Sequence, residues 1–270
     1  MKALIPLILV TGTIGGLLFG TLAASAQDQA AKASEKPAEL RAGETKGVVE
    51  LFTSQGCSSC PAADALFVKL AKRSDLIVLT MPVDYWDYLG WKDTLASPGN
   101  TARQKAYARS RGDGQVYTPQ AVVNGQVHVN GAQESQIENA LRRSAGRADS
   151  SRLTLKSWID TEALVVEATG MPASSAPASA NAPVAKGTVL LAFVKRQTEV
   201  EIGRGENKGR KVVYANVVQQ LKPVGEWAGT TATLRIPRAQ LPRDGYDFCV
   251  VLLQQGAAVP ILAAAEVRMN

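Results

Sequence analysis

The most constraining feature of the sequence is a pair of cysteines, Cys57 and Cys60, that closely follows the apolar run 47–52. A short run of this kind is typical of a central strand that is covered on both faces. Pro61 then fits the first turn of a helix, where a missing N–H leaves no donor unpaired. Two cysteines at a strand-to-helix turn can close a tight disulfide, or one thiolate can be stabilised by the exposed helical N–H groups.

The first 26 residues are predicted to be a secretory signal peptide. Lys2 precedes an uncharged apolar stretch over 3–22, and Ala24-Ser25-Ala26 provides an A-x-A cleavage site. A single transmembrane anchor is the alternative, because the stretch is about long enough to span a bilayer. No other apolar stretch has that length, so we expect a periplasmic or secreted protein without a membrane span after cleavage. Residues 27–46 are polar and Ala-rich, which predicts a flexible leader.

Composition narrows the possible functions further. The chain has 30 Lys and Arg against 24 Asp and Glu, and the basic residues are scattered, which does not indicate a nucleic-acid-binding surface. Three cysteines are too few for a disulfide framework. In an oxidising compartment we expect a Cys57–Cys60 disulfide, with Cys249 unpaired inside an apolar strand as a small core residue.

Residues 47–147 are predicted to form an α/β domain. A helix over 62–72 and a strand over 76–81 complete a β-α-β unit with parallel strands. A long insert begins with aromatic residues 84–91, which either form a binding rim beside the thiols or cap the core, and it continues into a helix over 100–111. Asn124-Gly125 predicts a type I′ hairpin turn. With a closing helix over 133–143, the order is β-α-β-α-β-β-α.

Residues 150–270 are predicted to form an all-β, sandwich-like or barrel-like domain. Short runs that alternate between apolar and polar residues are separated by turn signals, and a Pro/Ala/Ser loop covers 171–185. The Gly-rich segment 203–210 lacks the GK[ST] and the following helix of a phosphate loop, so we expect a surface hairpin turn there.

With this order established, residues 47–143 resemble the thioredoxin fold, through C-x-x-C after the first parallel strand and Thr118-Pro119 before the hairpin. The resemblance implies that Pro119 is cis and that Thr118 and Pro119 bind a substrate peptide as an added strand. It also implies that Cys57 is the attacking thiol, exposed at the helix N-terminus, and that Cys60 resolves the mixed disulfide. Gly56 and Pro61 would support the cysteines.

The mature chain is also similar to a family of secreted bacterial proteins known as domain of unknown function 1223. Three stretches carry this resemblance: 50–61 around the cysteines, Val83-Asp84-Tyr85-Trp86-Asp87 in the insert, and Arg204-Gly205-Glu206-Asn207. The family implies a fold and an export address but no reaction.

Glu50 has two interpretations. Many thioredoxins place a buried acid under the second cysteine as a proton acceptor, and Glu50 is one residue further from the motif than in that pattern. The alternative is a glutamate at the strand end that pairs with a lysine.

Three functions fit these features. The first is a thiol–disulfide oxidoreductase that needs no cofactor and acts on a thiol or disulfide protein partner in the envelope. The second is Cu(I) handling by both thiolates, although His128 is the one histidine and zinc lacks four ligands. The third is a non-enzymatic binding or structural protein with a structural disulfide.

Overall fold

The computed structural model describes residues 45–145, 153–169, 186–256 and 260–268. The predicted signal peptide, 1–26, the leader up to residue 44 and the loop 171–185 lie outside the described residues. Within these described ranges, no helix is long and apolar enough to cross a membrane.

The first part of the described chain follows the predicted order β-α-β-α-β-β-α. Its elements are β1 (Gly47–Thr53), α1 (Cys60–Leu70), β2 (Leu76–Pro82), α2 (Pro98–Arg111), β3 (Gln120–Val123), β4 (Val127–Asn130) and α3 (Glu134–Ala145). Pro61 lies in the first turn of α1, as predicted. A 3₁₀ turn over Asp87–Leu89 lies in the insert between β2 and α2.

The turn between β3 and β4 has the predicted conformation. Asn124 and Gly125 have φ values of 51° and 67°, the left-handed values that a type I′ turn requires. The Asn124 side chain accepts a hydrogen bond from the Val48 amide at 2.7 Å and donates one to Ser144 Oγ at 2.8 Å. The turn therefore also fixes the start of β1 beside the end of α3.

All regular elements after α3 in the described residues are strands, apart from a short 3₁₀ turn over Arg238–Gln240. They are β5 (Thr154–Ile159), β6 (Ala163–Thr169), β7 (Gly187–Glu201), β8 (Lys211–Trp227), β9 (Ala232–Pro237), β10 (Phe248–Gln254) and β11 (Ile261–Arg268). β7 and β8 are long strands of 15 and 17 residues that pair antiparallel with each other. Their pairing runs from Gly187 opposite Trp227 to Glu201 opposite Lys211.

Eight strands form one sheet in the order β11-β10-β7-β8-β2-β1-β3-β4. β1 and β2 are parallel, as the β-α-β unit predicts, and β3 is antiparallel to β1. β8 joins β2 through one parallel pair, Thr80 with Val217, and Thr80 Oγ1 donates to the Ala215 carbonyl at 2.6 Å. The fold is mixed α/β with a large, mostly β sheet, to which both predicted segments, 47–147 and 150–270, contribute strands.

A second, three-stranded sheet, β5-β6-β9, packs over β7, β10 and β11. The layer between the two sheets buries apolar side chains from both, among them Leu164, Phe193 and Val251. The second segment therefore has the two packed layers of a sandwich, but one of these layers continues into the α/β sheet.

The side chains of β1 alternate between two cores on opposite faces of the sheet. Val49 and Leu51 pack with α1 and α3, whereas Val48 and Phe52 pack with Tyr107 of α2. This alternation decides which β1 side chains can reach the cysteines, because the cysteines lie at the start of α1.

Candidate active site

Cys57 and Cys60 form a disulfide at the start of α1, with their Cα atoms 5.4 Å apart. Backbone hydrogen bonds hold the loop: the Cys57 amide donates to the Ser54 carbonyl and the Cys60 amide donates to the Cys57 carbonyl, both at 3.1 Å. Ser59 Oγ lies 3.4 Å from Cys57 Sγ. The sulfurs are therefore at the end of the helix where the dipole favours a thiolate once the disulfide is reduced.

Both cysteines are buried, which corrects the expectation that Cys57 is exposed. Their exposed fractions are 1% for Cys57 and 0% for Cys60, whereas Ser58 and Ser59 between them are exposed. Trp86 of the insert and the turn between β7 and β8 lie against the cysteine loop. A thiol of another molecule can reach the sulfurs only if this surrounding structure opens.

Trp86 connects the cysteine loop to the loop before β3. Its Nε1 donates to Thr118 Oγ1 at 2.8 Å, and a Cβ added at Gly56 would lie 3.0 Å from Trp86 Cβ. The Thr118–Pro119 peptide bond is cis, as predicted, and the Pro119 carbonyl accepts a hydrogen bond from Gly131 at 3.0 Å. The predicted substrate loop therefore lies next to the cysteine loop, with Trp86 between them.

The aromatic insert lies partly in the core and partly beside the cysteine loop. Tyr85 and Trp86 pack against the core, whereas Tyr88 is 79% exposed. Trp91 lies against the turn between β7 and β8, and its Nε1 donates to Gln55 Oε1 at 2.7 Å. The insert is thus in part core cover and in part a rim around the cysteine loop.

The interpretation of Glu50 as a proton acceptor for Cys60 is wrong, because its side chain lies on the opposite face of β1 from α1. The side chain is buried on the α2 face of β1, where Arg103 donates to its two carboxylate oxygens at 2.7 and 3.3 Å. The Tyr107 hydroxyl donates to the same carboxylate at 2.5 Å. Because strand side chains alternate, an offset of one residue turns the carboxylate to the opposite face. Its partner is an arginine and not the lysine of the alternative interpretation.

The buried acid on the cysteine side is Asp64, which was not predicted from the sequence. It follows Cys60 by four residues on α1, so the two side chains share a helix face. Thr53 Oγ1 donates to Asp64 Oδ1 at 2.7 Å, and Oδ2 is buried without a hydrogen-bond partner in the described part of the chain. Burial raises the pKa of Asp64 to about 8, while the Thr53 hydrogen bond opposes the shift and Asp93 adds to it. The i, i+4 spacing is the signal that could have identified it.

Two further polar groups surround Asp64, one from β8 and one from the insert. Burial raises the pKa of Tyr214, with the Asp64 and Asp93 carboxylates adding to the shift, and the Tyr214 hydroxyl has no hydrogen-bond partner among the described residues. Asp93 accepts a hydrogen bond from the Gln55 amide at 2.8 Å, and burial raises its pKa as well. β8 therefore contributes to the environment behind the disulfide.

Replacing Asp64 with asparagine is expected to remove a pH dependence of stability. The folded pKa of about 8 exceeds the ordinary value of 3.8, so the folded state binds this proton more tightly and loses stability as the pH rises between those values. The slope reaches about 1.4 kcal/mol per pH unit. Urea unfolding of the oxidised protein at pH 5–8 should give a flatter profile for Asp64→Asn, whereas the exposed Asp244→Asn should keep the wild-type slope. Equal slopes for all three proteins would contradict the buried protonated acid.

Cys249 is a buried core residue, as predicted. It is free, lies on β10 and has 0% of its surface exposed. Burial raises the pKa of its thiol to about 12, so the thiol is not ionised at neutral pH. It does not belong to the site.

His128 lies in β4, away from the cysteine motif in sequence, and has protein partners on both ring nitrogens. Tyr117 Oη lies 2.9 Å from Nδ1, and Asp113 Oδ2 lies 3.2 Å from Nε2. In the described ranges, no group of three or more His, Cys, Asp or Glu side chains is arranged to hold a metal ion.

The chain matches a protein-family model and is similar to solved structures. A family model described as "Protein of unknown function (DUF1223)" matches residues 48–254. The chain is similar to a crystal structure of an Agrobacterium tumefaciens protein, a structural genomics target, with a TM-score of 0.70, 33% identity and coverage of 84% of this chain and 95% of that one. It also shares a fold with HBP35 of Porphyromonas gingivalis, at a TM-score of 0.51 and 13% identity, covering 83% of this chain and 74% of that one. No curated protein matches the chain.

Proposed function

This chain belongs to the DUF1223 family, and we propose that it is an exported thiol–disulfide oxidoreductase acting on protein partners in the periplasm or outside the cell. The observation that carries the proposal is the Cys57–Cys60 disulfide at the N-terminus of α1, with the buried Asp64 one turn further along. A structural disulfide at the same position does not need the buried acid. A helix N-terminus favours a thiolate, and a buried acid with a pKa of about 8 can take up a thiol proton near neutral pH.

The proposal includes a thioredoxin-like arrangement of residues 47–145. Its support is the strand order β2-β1-β3-β4, with β1 and β2 parallel and β3 and β4 antiparallel. The position of Thr118 and Pro119 beside the cysteine loop supports a substrate segment that binds along that loop.

The proposed reaction is thiol–disulfide exchange. In the reduced protein, the Cys57 thiolate attacks a partner disulfide, forms a mixed disulfide and releases one partner sulfur, which takes up a proton. Cys60 then transfers its proton to Asp64 and attacks the Cys57 sulfur. This step closes the Cys57–Cys60 bond, releases the second partner thiolate and moves two electrons to the partner. The reverse sequence oxidises a partner dithiol.

Both directions can be tested with the purified mature protein. The wild type should accelerate either the reduction of insulin by dithiothreitol or the oxidative refolding of a reduced model protein. Rates equal to the uncatalysed rates in both assays would contradict the proposed function.

Asp64→Asn is expected to slow the catalysed exchange by about 100-fold, because a positioned general base contributes factors of this order. Exchange in both proteins speeds up as thiols ionise, so the ratio of the wild-type rate to the variant rate is the informative quantity, and it should rise with pH as Asp64 ionises, with an apparent pKa near 8. Asp244→Asn, which is exposed, should retain the wild-type rate and profile. Wild-type kinetics in Asp64→Asn would show that Asp64 is not the proton acceptor for Cys60.

A binding protein with a structural disulfide is the second candidate, and the burial of both cysteines favours it. In that case the disulfide stabilises the start of α1 and the protein binds a partner without exchange. The two candidates differ in the reduction potential of the Cys57–Cys60 pair.

A further inference from the structure

The turn between β7 and β8 places one buried side chain against the cysteine loop. We call this turn, residues 202–210, the hairpin tip. Asn207 is 1% exposed, whereas its neighbours Glu206 and Lys208 are exposed. A polar side chain that is buried between exposed neighbours is held by specific contacts and not by the apolar core.

The Asn207 amide group makes those contacts with the backbone of the cysteine loop. Its Nδ2 donates to the Gln55 carbonyl at 2.9 Å and to the Cys57 carbonyl at 2.8 Å, across 150 residues of sequence in the second case. The Cys57 carbonyl also accepts the hydrogen bond of the Cys60 amide. Asn207 therefore fixes the same peptide group that closes the turn of the disulfide.

Trp91 strengthens the attachment of the hairpin tip. A Cβ added at Gly203 would lie 2.8 Å from Trp91 Cζ3, so the ring lies directly on the glycine backbone. The same indole donates to the Gln55 side chain. Tip, insert and cysteine loop thus contact one another pairwise, and moving the tip breaks contacts with both of the others.

The hairpin tip is itself a closed unit. The Gly209 amide donates to the Ile202 carbonyl at 2.7 Å, and the Ile202 amide donates to the Arg210 carbonyl at 2.9 Å. Gly205 and Gly209 have φ values of 80° and 78°, which side-chain-bearing residues rarely adopt. These hydrogen bonds lie within the tip, so displacing Asn207 from the cysteine loop does not itself break them, while Ile202 at the base of the tip packs in a buried cluster with Val212, Tyr214 and Val217.

We propose that Asn207 is a positioning residue for the Cys57–Cys60 disulfide. It anchors the hairpin tip, so that the sulfurs react only after the tip is displaced. A protein partner that binds beside Trp86 and lifts the tip gains access, whereas small thiols meet a closed site. The relevance to partner choice rests on the proposed function. The effect of Asn207 on the reactivity of the disulfide does not.

Dithiothreitol measures that reactivity directly. One dithiothreitol thiolate attacks a sulfur of the Cys57–Cys60 bond and forms a mixed disulfide, and its second thiolate then closes the cyclic oxidised product. Two electrons pass to the protein, and both cysteine thiolates take up protons from solvent. This reaction proceeds whether or not the protein catalyses exchange between other molecules.

The test compares the rate constant of this reduction in Asn207→Ala, in the isosteric Asn207→Asp and in the control Lys208→Ala, whose side chain is exposed. Loss of two donated hydrogen bonds should accelerate reduction by about tenfold in both Asn207 variants. Lys208→Ala should react like the wild type. Circular dichroism and urea unfolding confirm that each compared variant is folded. A folded Asn207 variant that reacts at the wild-type rate or more slowly overturns the proposal.

Two further measurements do not depend on the folding of the Asn207 variants. Trp91→Phe keeps a ring against Gly203 but loses the hydrogen bond to Gln55, and it should accelerate reduction by a smaller factor. The folded wild type should also react much more slowly than the urea-unfolded chain at equal dithiothreitol concentration. Equal rates for folded and unfolded chains, or a wild-type rate in Trp91→Phe, would contradict the closed site. If the wild type catalyses no exchange but these rate differences are found, the proposed function is refuted and the role of Asn207 stands.

Discussion

Replacing Cys60 with serine is expected to stop turnover and to trap the protein in a mixed disulfide through Cys57. Without the second thiol, nothing within the protein can attack the Cys57 sulfur, so the intermediate formed with a disulfide substrate accumulates. Cys57→Ser should neither turn over nor trap the substrate. Non-reducing electrophoresis and mass spectrometry of the adduct would identify the linked cysteine.

Cys249 supplies the matched control for these variants. Its thiol is buried on β10 with a pKa raised to about 12, so Cys249→Ser should retain the activity and the trapping behaviour of each parent protein. A mixed disulfide through Cys60 in the Cys57→Ser variant would show that the roles of the two cysteines are reversed. Catalysis at the wild-type rate in Cys60→Ser would contradict the exchange mechanism.

Arg103→Ala is expected to destabilise the fold by about 3–5 kcal/mol, because it leaves the Glu50 carboxylate buried without its counter-charge. Arg103 is 8% exposed, and its guanidinium also donates to the Tyr107 hydroxyl at 2.6 Å and to Gln254 Oε1 at 3.1 Å. These hydrogen bonds join β1, α2 and β10. The measurement is the free energy of urea unfolding at pH 7.

Arg109→Ala, an exposed arginine on the same helix, should change that free energy by no more than about 0.5 kcal/mol. The double variant Glu50→Leu with Arg103→Met should lose much less than Arg103→Ala, since an apolar pair leaves no buried charge. Similar decreases in the free energy of unfolding for Arg103→Ala and Arg109→Ala would mean that the buried ion pair does not contribute to stability.

Local signals predicted the first part of the fold well. The β-α-β unit, the start of α1 at the cysteines and the Asn124-Gly125 turn each depend on residues that are close in sequence. Periodicity, a proline in the first helical turn and positive φ angles act over a few residues, so they can be read from the chain without knowledge of distant contacts.

The supporting residues of the site could not be predicted in the same way. For Glu50, the motif spacing did not reveal which face of β1 it occupies, and an offset of one residue reverses that face. Asn207 reaches the Cys57 carbonyl across 150 residues, and no local pattern encodes such a contact. The β7 segment 195–201 that leads into the hairpin tip is largely polar and at least partly exposed, so it lacks the apolar alternation by which strands are recognised. The sheet shared by both segments was not predicted either, because β8 joins β2 through a single pair, Thr80 with Val217, which are distant in sequence.

The reduction potential of the Cys57–Cys60 pair tests the proposed redox function most directly. Oxidised protein is equilibrated with glutathione or dithiothreitol buffers of defined potential, and the fraction of disulfide is measured by mass spectrometry after thiol alkylation. An exchanging pair should have a potential above about −300 mV, within the range of thiol–disulfide oxidoreductases. A potential well below about −300 mV, the range of inert structural disulfides, would contradict the oxidoreductase and leave the disulfide as a staple.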